Sequence, residues 1–351
     1  MKKSPVNIPV NYEALTRIVS KKELHQYVIQ APSAKRATAM KVFFYGAAVV
    51  IGGIMIANAI GALASEWTTE TTVLLCILAF FLTISYFAGR SVERSYMAPY
   101  RLSQFADANH WGYIQHIPNP THHGVIFGQG YSRLSSNILY LEGSSEYASF
   151  EIGDYAYTVG SGKNRRRYLW SYACIEMDRN LPNMLLDSKD NNVQIFGRTL
   201  ASNLPVTMKG NQVLSLEGDF DTHFTLYAPK EYERDALYVF TPDVMALLID
   251  SMKGVDAEVI DNKFYIYMPR YTNTQTLDPK FLEKVFAIMN TVGMKLHRQT
   301  DYYADETVNN RAEDVVAAGG RRLKRGTAWG YVIAIIVIIV GMNVVPLFLG
   351  K

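Results

Sequence analysis

The chain alternates between long uncharged apolar blocks and a polar remainder patterned at short period. Three blocks stand out, at 42–64, 71–89 and 326–350, the first broken among polar side chains only by Asn58. Each approaches the roughly 20 apolar residues that cross a bilayer core, so the pattern predicts transmembrane helices at 41–64, 71–89 and 327–349. A secretory signal competes for the first block, because Ala62-Leu63-Ala64 has the small residues of a cleavage site. The block is longer than the roughly 7–15 apolar residues of a signal, and residues 1–40 precede it, so a span fits better. The β-branched third block reads as a span because a basic cluster and Trp329 stand at its start.

Basic residues then set the expected orientation. Lys2, Lys3, Arg17, Lys21, Lys22, Lys35, Arg36 and Lys41 precede the first block, and the 65–70 loop has Glu66 and Glu70 but no Lys or Arg. Arg90, Arg94 and Arg101 follow the second block, and Arg321, Arg322, Lys324 and Arg325 precede the third. This predicts a multi-pass protein of the cytoplasmic (inner) membrane, with the lipid bilayer as a partner. The N-terminus and the domain between spans two and three are cytoplasmic in this reading, and the C-terminus external.

Outside the blocks the period changes. Residues 12–29 carry a helical stripe of Leu15, Ile18, Val19, Leu24, Tyr27 and Val28 with Asn11 as a cap, making 1–40 a basic amphipathic segment. It either lies on a membrane face or packs on protein. Residues 90–110 read as a helical connector with a break near Pro99. From 111 to 300 short apolar runs alternate with turn residues. Strands are predicted at 113–117, 125–127, 138–141, 149–152, 155–159, 168–177, 192–196, 213–216, 224–227, 237–240, 257–260 and 263–268. Gly153-Asp154 and Asp261-Asn262 read as hairpin turns. Thr241-Pro242 and Asp278-Pro279 open helices, and 301–325 is a polar, basic linker. The fold class is α+β: an antiparallel, strand-rich domain with one buried face, held between the second and third of three spans.

Composition narrows the function more than it defines it. A net charge of +3 in 351 residues argues against a nucleic-acid binder, and two cysteines, Cys76 and Cys174, exclude a disulfide framework. No cofactor is implied.

Leu216-Glu217-Gly218-Asp219-Phe220, Phe224-Thr225-Leu226-Tyr227-Ala228-Pro229, Tyr238-Val239-Phe240-Thr241-Pro242 and Tyr265-Ile266-Tyr267-Met268-Pro269 carry a likeness. In these stretches the chain resembles a bacterial membrane-anchored family, domain-of-unknown-function family 3137, over about residues 111–300. The paired N-terminal blocks resemble it too; the third block is an addition to its usual plan. The resemblance implies no catalytic residues.

Candidate chemistry is sparse. Gly160-Ser161-Gly162-Lys163-Asn164 lacks the first glycine of a phosphate loop, since Tyr157 stands there, and reads as a hairpin turn. His110, His116, His122 and His123 offer four imidazoles for zinc or copper. Glu217, Asp219 and Asp221 with His223 could bind a cation or do acid–base work, although Thr222 and Ala228 break the calcium-loop pattern. Lys163, Arg165, Arg166 and Arg167, followed by Tyr168 and Trp170, make a basic and aromatic patch suited to anionic lipid headgroups or a protein partner. The many tyrosines also suit recognition. The sequence thus favours a non-enzymatic, membrane-anchored interaction, scaffold or sensor module. A metal-dependent or hydrolytic enzyme using His110–His123 or Glu217–His223 is the alternative.

Overall fold

A computed structural model describes residues 8–30, 34–63, 69–144, 147–195, 198–270, 278–308 and 313–326. The chain divides into two compact units, Asn11–Asn109 and a second built from Met1–Val10 with His110–Lys351.

The first unit is helical: α1 (Glu13–Thr16), α2 (Lys21–Gln30), α3 (Ala34–Leu63) and α4 (Thr69–Ala108). The predicted single helix over 12–29 is two, because Ser20 and Glu23 form a reciprocal capping box that starts α2 afresh. The Ser20 N–H donates to Glu23 Oε2 and the Glu23 N–H to Ser20 Oγ, each at 3.2 Å. The stripe breaks with it: Leu15, Leu24 and Val28 are buried, and Ile18 is exposed. Leu24 and Val28 pack on Tyr96 and Tyr100 of α4, and Tyr27 meets the Tyr100 ring edge-on at 5.3 Å. Pro99 lies inside α4 and does not end it.

Among the described residues, no helix is long and apolar enough to cross a membrane. That finding overturns the transmembrane reading of 41–64 and 71–89. With it go the three-span fold class, the multi-pass localisation and its orientation. The expected span 327–349 lies outside the described residues. What α3 does show is one buried face, Ala48 and Met55 two turns apart, with Val42, Phe43, Val49, Val50, Ile54 and Ile56 exposed.

The second unit is α+β. Its strands are β1 (Gly112–Pro118), β2 (Tyr131–Leu141), β3 (Phe150–Val159), β4 (Arg166–Ser188), β5 (Val193–Ile195), β6 (Arg198–Ala201), β7 (Val213–Leu214), β8 (Phe224–Tyr227) and β9 (Asp256–Pro269). Seven form one antiparallel sheet in the order β1-β2-β3-β4-β8-β7, with β9 on β4; β5 and β6 pair separately. The long β4 takes β3 along its first half and β8 along its last residues, while β9 pairs with both halves. Among the described residues the unit also has α5 (Phe220–His223), α6 (Glu233–Val239), α7 (Pro242–Ser251), α8 (Pro279–Ile288) and α9 (Met294–Thr300), the last two joined by a π turn, Met289–Gly293. Pro242 and Pro279 do occupy first helical positions, and Asp278 Oδ1 accepts from the Lys280 N–H at 3.1 Å.

Both faces of the sheet are covered, not one. On the first, Trp111 and Phe150 pack with Phe286 of α8. On the second, Tyr155, Tyr157, Trp170, Tyr172, Tyr265 and Tyr267 surround Phe127 and are closed over by Val125, Ile126, Leu204 and Met208. Residues 125–127 are therefore a buried loop, and Tyr155, Tyr157, Tyr172, Tyr265 and Tyr267 are core, whereas Tyr131, Tyr168, Tyr238 and Tyr302 stay exposed. Two expected hairpins vanish. Gly153-Asp154 lies within β3 because Asp154 is satisfied in place: it accepts from Ser171 Oγ and Asn137 Nδ2 at 2.9 Å and pairs with Arg270 at 3.0 Å. Asp261 adopts a left-handed φ of 51° inside β9 and does not turn the chain back. The strand expected at 237–240 is the end of α6, which buries Ala236 and Val239 one turn apart.

The Asp154–Arg270 pair has side chains 1% and 5% exposed. Removing one member of a buried pair strands the other charge. Asp154→Ala is expected to cost about 3–5 kcal/mol, read as a lowered urea midpoint, with Asp154→Asn losing less.

Candidate functional site

Glu258 projects from β9 beneath the loop that carries His122 and His123. Its Oε2 accepts from the Val125 N–H and from Tyr267 Oη, both at 2.8 Å. The loop can lie this close only because residue 124 is glycine. It sits at φ +146°, and a Cβ there would fall 2.3 Å from Tyr267 Oη and 3.0 Å from Glu258 Oε2. Burial is the largest influence on Glu258 and pushes its carboxyl up to about 7, against the pull of Val125, Tyr267 and the charge of Arg325.

Over Glu258 opens a cavity of about 420 Å³, lined among others by His123, Asn183, Asp261, Arg321, Arg322 and Arg325. The arginines are held there by backbone pairing. Asn183 donates from its N–H to Gly320 O at 2.8 Å and from Nδ2 to Arg321 O at 2.7 Å. Gln212 Nε2 donates to Lys324 O at 2.8 Å, and the Lys324 N–H returns to Gln212 Oε1 at 2.7 Å. The Gly326 N–H reaches Thr207 O at 2.7 Å. Residues 320–325, the end of the expected linker 301–325, thus pair with this unit and wall the cavity. Arg321, Arg322 and Arg325 thus line the same cavity as Glu258, Arg325 acting on its carboxyl by charge and Arg321 donating from Nε to Val316 O at 2.6 Å.

Behind the same loop, His122 Nε2 lies 3.0 Å from Glu151 Oε1, to which Tyr172 Oη also donates. Burial raises the Glu151 carboxyl, but His122 and then Tyr172 outweigh it and leave the group below its usual range. Cys174 lines this smaller cavity with Lys263 and Tyr265; burial pushes its thiol up to about 12, which keeps it protonated and poorly nucleophilic.

The other expected site residues are dispersed. His110 ends the helical segment in a left-handed conformation, His116 lies on β1, and His122 and His123 face different cavities. Among the described residues no three of the four come within ligand distance. The basic patch divides along β4. Arg166 and Tyr168 stand opposite Val159 and Tyr157, Arg167 belongs to the alternate face, and Trp170 is buried. Lys163, Arg165, Arg166 and Arg167 are exposed at the hairpin end, and Tyr168 stacks on Tyr157 at 5.2 Å. Gly160–Asn164 is a turn, its Gly160 at φ 81°. Glu217 and Asp219 are exposed, Asp219 lies 3.9 Å from His223, and Asp221 Oδ1 accepts from the Leu216 N–H.

Sequence reading passed over Glu258 and the role of Arg321, Arg322 and Arg325. The available signal was a pair of acids, Asp256 and Glu258, in a strand otherwise read as apolar; Asp256 is also buried and pushed up to about 7.

Glu258 holds its proton more tightly when folded than at its ordinary value of 4.5. Its stabilising contribution is complete below pH 4.5 and is lost as pH rises through about 7. Glu258→Gln is therefore expected to gain on the wild type by about 3 kcal/mol between pH 5 and pH 8. Denaturant titrations at both pH values measure this difference, from which Asp256 cancels.

No family model matches this chain, and no curated protein matches it. A solved structure, the crystal structure of the mycobacterial trehalose monomycolate transport factor A, TtfA, is similar to it at 8% identity, covering 54% of this chain and 93% of that one with a TM-score of 0.33. A likeness at that score bears on neither mechanism nor role.

Proposed function

We propose that this protein is a non-enzymatic binding module whose strand-rich unit takes a compact anionic ligand, of the phosphate or polycarboxylate class, in the cavity over Glu258. The observation that carries this reading is the convergence of Arg321, Arg322 and Arg325 on one cavity of ligand size. Guanidiniums hold phosphate and carboxylate groups bidentately. Asp261 and an ionised Glu258 oppose them, so protonation of Glu258 raises the net positive charge facing the ligand.

Binding is favoured over catalysis because one oxygen of the acid–base group is already engaged. Glu258 Oε2 spends its acceptor capacity on Val125 and Tyr267, and the nearby thiol is protonated and buried. The exposed apolar side chains of α3 support an interaction role for the helical unit, since contiguous apolar surface marks contact sites. The resemblance carried by 216–220 and 265–269 adds no catalytic residue to set against this.

Calorimetry on the full-length chain with pyrophosphate and with citrate tests the proposal. Saturable binding is expected to weaken at least tenfold in Arg322→Gln/Arg325→Gln, and to weaken from pH 6 to pH 8 in the wild type but not in Glu258→Gln. Absence of saturable heat with either probe, or affinity indifferent to the arginines, would overturn it.

A further inference from the structure

A second constellation lies away from that cavity, where α9 crosses β4. Gly293 makes the crossing close: a Cβ there would lie 2.1 Å from Ile175 Cδ1. The π turn that ends at Gly293 resets the helical phase of α9, and one turn later His297 is brought over Asp178 of β4. Asp301 follows at i+4, on the same face of the helix end.

His297 is only 2% exposed. Its Nε2 lies 3.7 Å from Asp178 Oδ1 and its Nδ1 lies 3.4 Å from Asp301 Oδ1. The first separation exceeds a hydrogen bond. In the second, both atoms are buried and neither has a hydrogen-bond partner. A buried imidazole nitrogen and a buried carboxylate oxygen that face each other unsatisfied are costly, and a bound group that accepts electron pairs from both removes the cost. The three side chains can each offer one donor atom with all three atoms within 4.8 Å of one another. A metal about 2.0–2.1 Å from an imidazole nitrogen and about 2.0–2.2 Å from a carboxylate oxygen, at a tetrahedral angle, separates those two ligands by roughly 3.4 Å.

We propose that Asp178, His297 and Asp301 form a binding site for a divalent transition-metal ion. A neutral imidazole with two carboxylates supplies charge −2 and a mixed nitrogen–oxygen donor set, which suits Zn²⁺ or Co²⁺. Asp178, with its side chain 44% exposed, is the ligand on the solvent side, where water completes the coordination. The metal ties α9 to β4 across the sheet and so contributes to folding stability. The site shares no residue with the anion cavity and stands or falls independently of it.

The test uses the full-length chain stripped with a chelator and then titrated with Zn²⁺ or Co²⁺ alone. One tight equivalent of metal is expected, with visible Co²⁺ absorption bands of a four-coordinate site and a melting temperature that rises on metal addition. Asp301→Asn and Asp178→Asn should each weaken binding at least tenfold and diminish the bands; Asp178→Asn changes a half-exposed side chain and leaves folding intact. His297→Gln should abolish the bands. Absence of a stoichiometric metal, or an affinity unchanged in both aspartate variants, would overturn the site; the latter result would place the metal elsewhere, with His110, His116, His122 and His123 next to be tested.

Discussion

The antiparallel ladder between β4 and β9 runs from Trp170 opposite Pro269 to Leu186 opposite Ala257, and its register shifts between Glu176 and Leu181 and again before Met184. Both sites described above hang on that ladder and its interruption. In its regular part Tyr172 stands beside Tyr267 and Cys174 beside Tyr265, which makes the aromatic floor on which residues 125–127 are packed. Beyond the interruption Glu258 stands opposite Leu185 and reaches Tyr267 Oη. The irregular stretch itself offers Asp178 to α9 and Asn183 to residues 320–321. Bulges re-aim side chains that a regular strand would commit to one of two faces, and here they supply both the metal ligand and the tether of the arginine wall.

Buried charge in this unit is handled in two ways with different consequences. Asp154 has a guanidinium and two further donors, which tie β2, β3 and β4 to Arg270. Glu258 and Asp256 receive hydrogen bonds from neutral groups: backbone N–H, tyrosine hydroxyl and the amides of Asn191 and Asn203. Neutral donors offset burial only in part, so these carboxyls move up to about 7. A full counter-charge gives a rigid joint; partial compensation gives one whose strength depends on pH. The second kind sits where loops close over the sheet.

Local signals marked the elements whose determinants are local. Short apolar runs between turn residues identified β1 and β8, and Pro at the first helical position identified α7 and α8. Errors arose where a distant partner cancelled a local rule. Gly153-Asp154 has the composition of a turn, but Arg270 and Ser171 make the same aspartate acceptable in mid-strand. Asp261-Asn262 looks like a two-residue hairpin, yet Asp261 serves as an irregularity opposite that of β4, where its N–H faces Asn183 Oδ1 at 3.4 Å. Of the candidate sites, the sequence showed the residue types but not the groupings. His123 was singled out; its neighbours in the cavity, Glu258 and the arginines near the other end of the chain, are joined to it only by the fold.

The basic run 321–325 shows how one feature can satisfy two physical rules. Positive charge beside an apolar block follows the pattern of a membrane flank, and positive charge around a concave surface follows the pattern of anion recognition. The backbone of the run is tied to the second unit. Here Lys324 exchanges two hydrogen bonds with the Gln212 side chain, Arg325 bridges Met208, and Gly326 donates to Thr207. A segment paired at that density has fixed guanidinium origins. Under the proposed reading, three cations whose backbone is held in place share a cavity with a carboxyl pushed up to about 7, a grouping that no count of basic residues along the chain conveys.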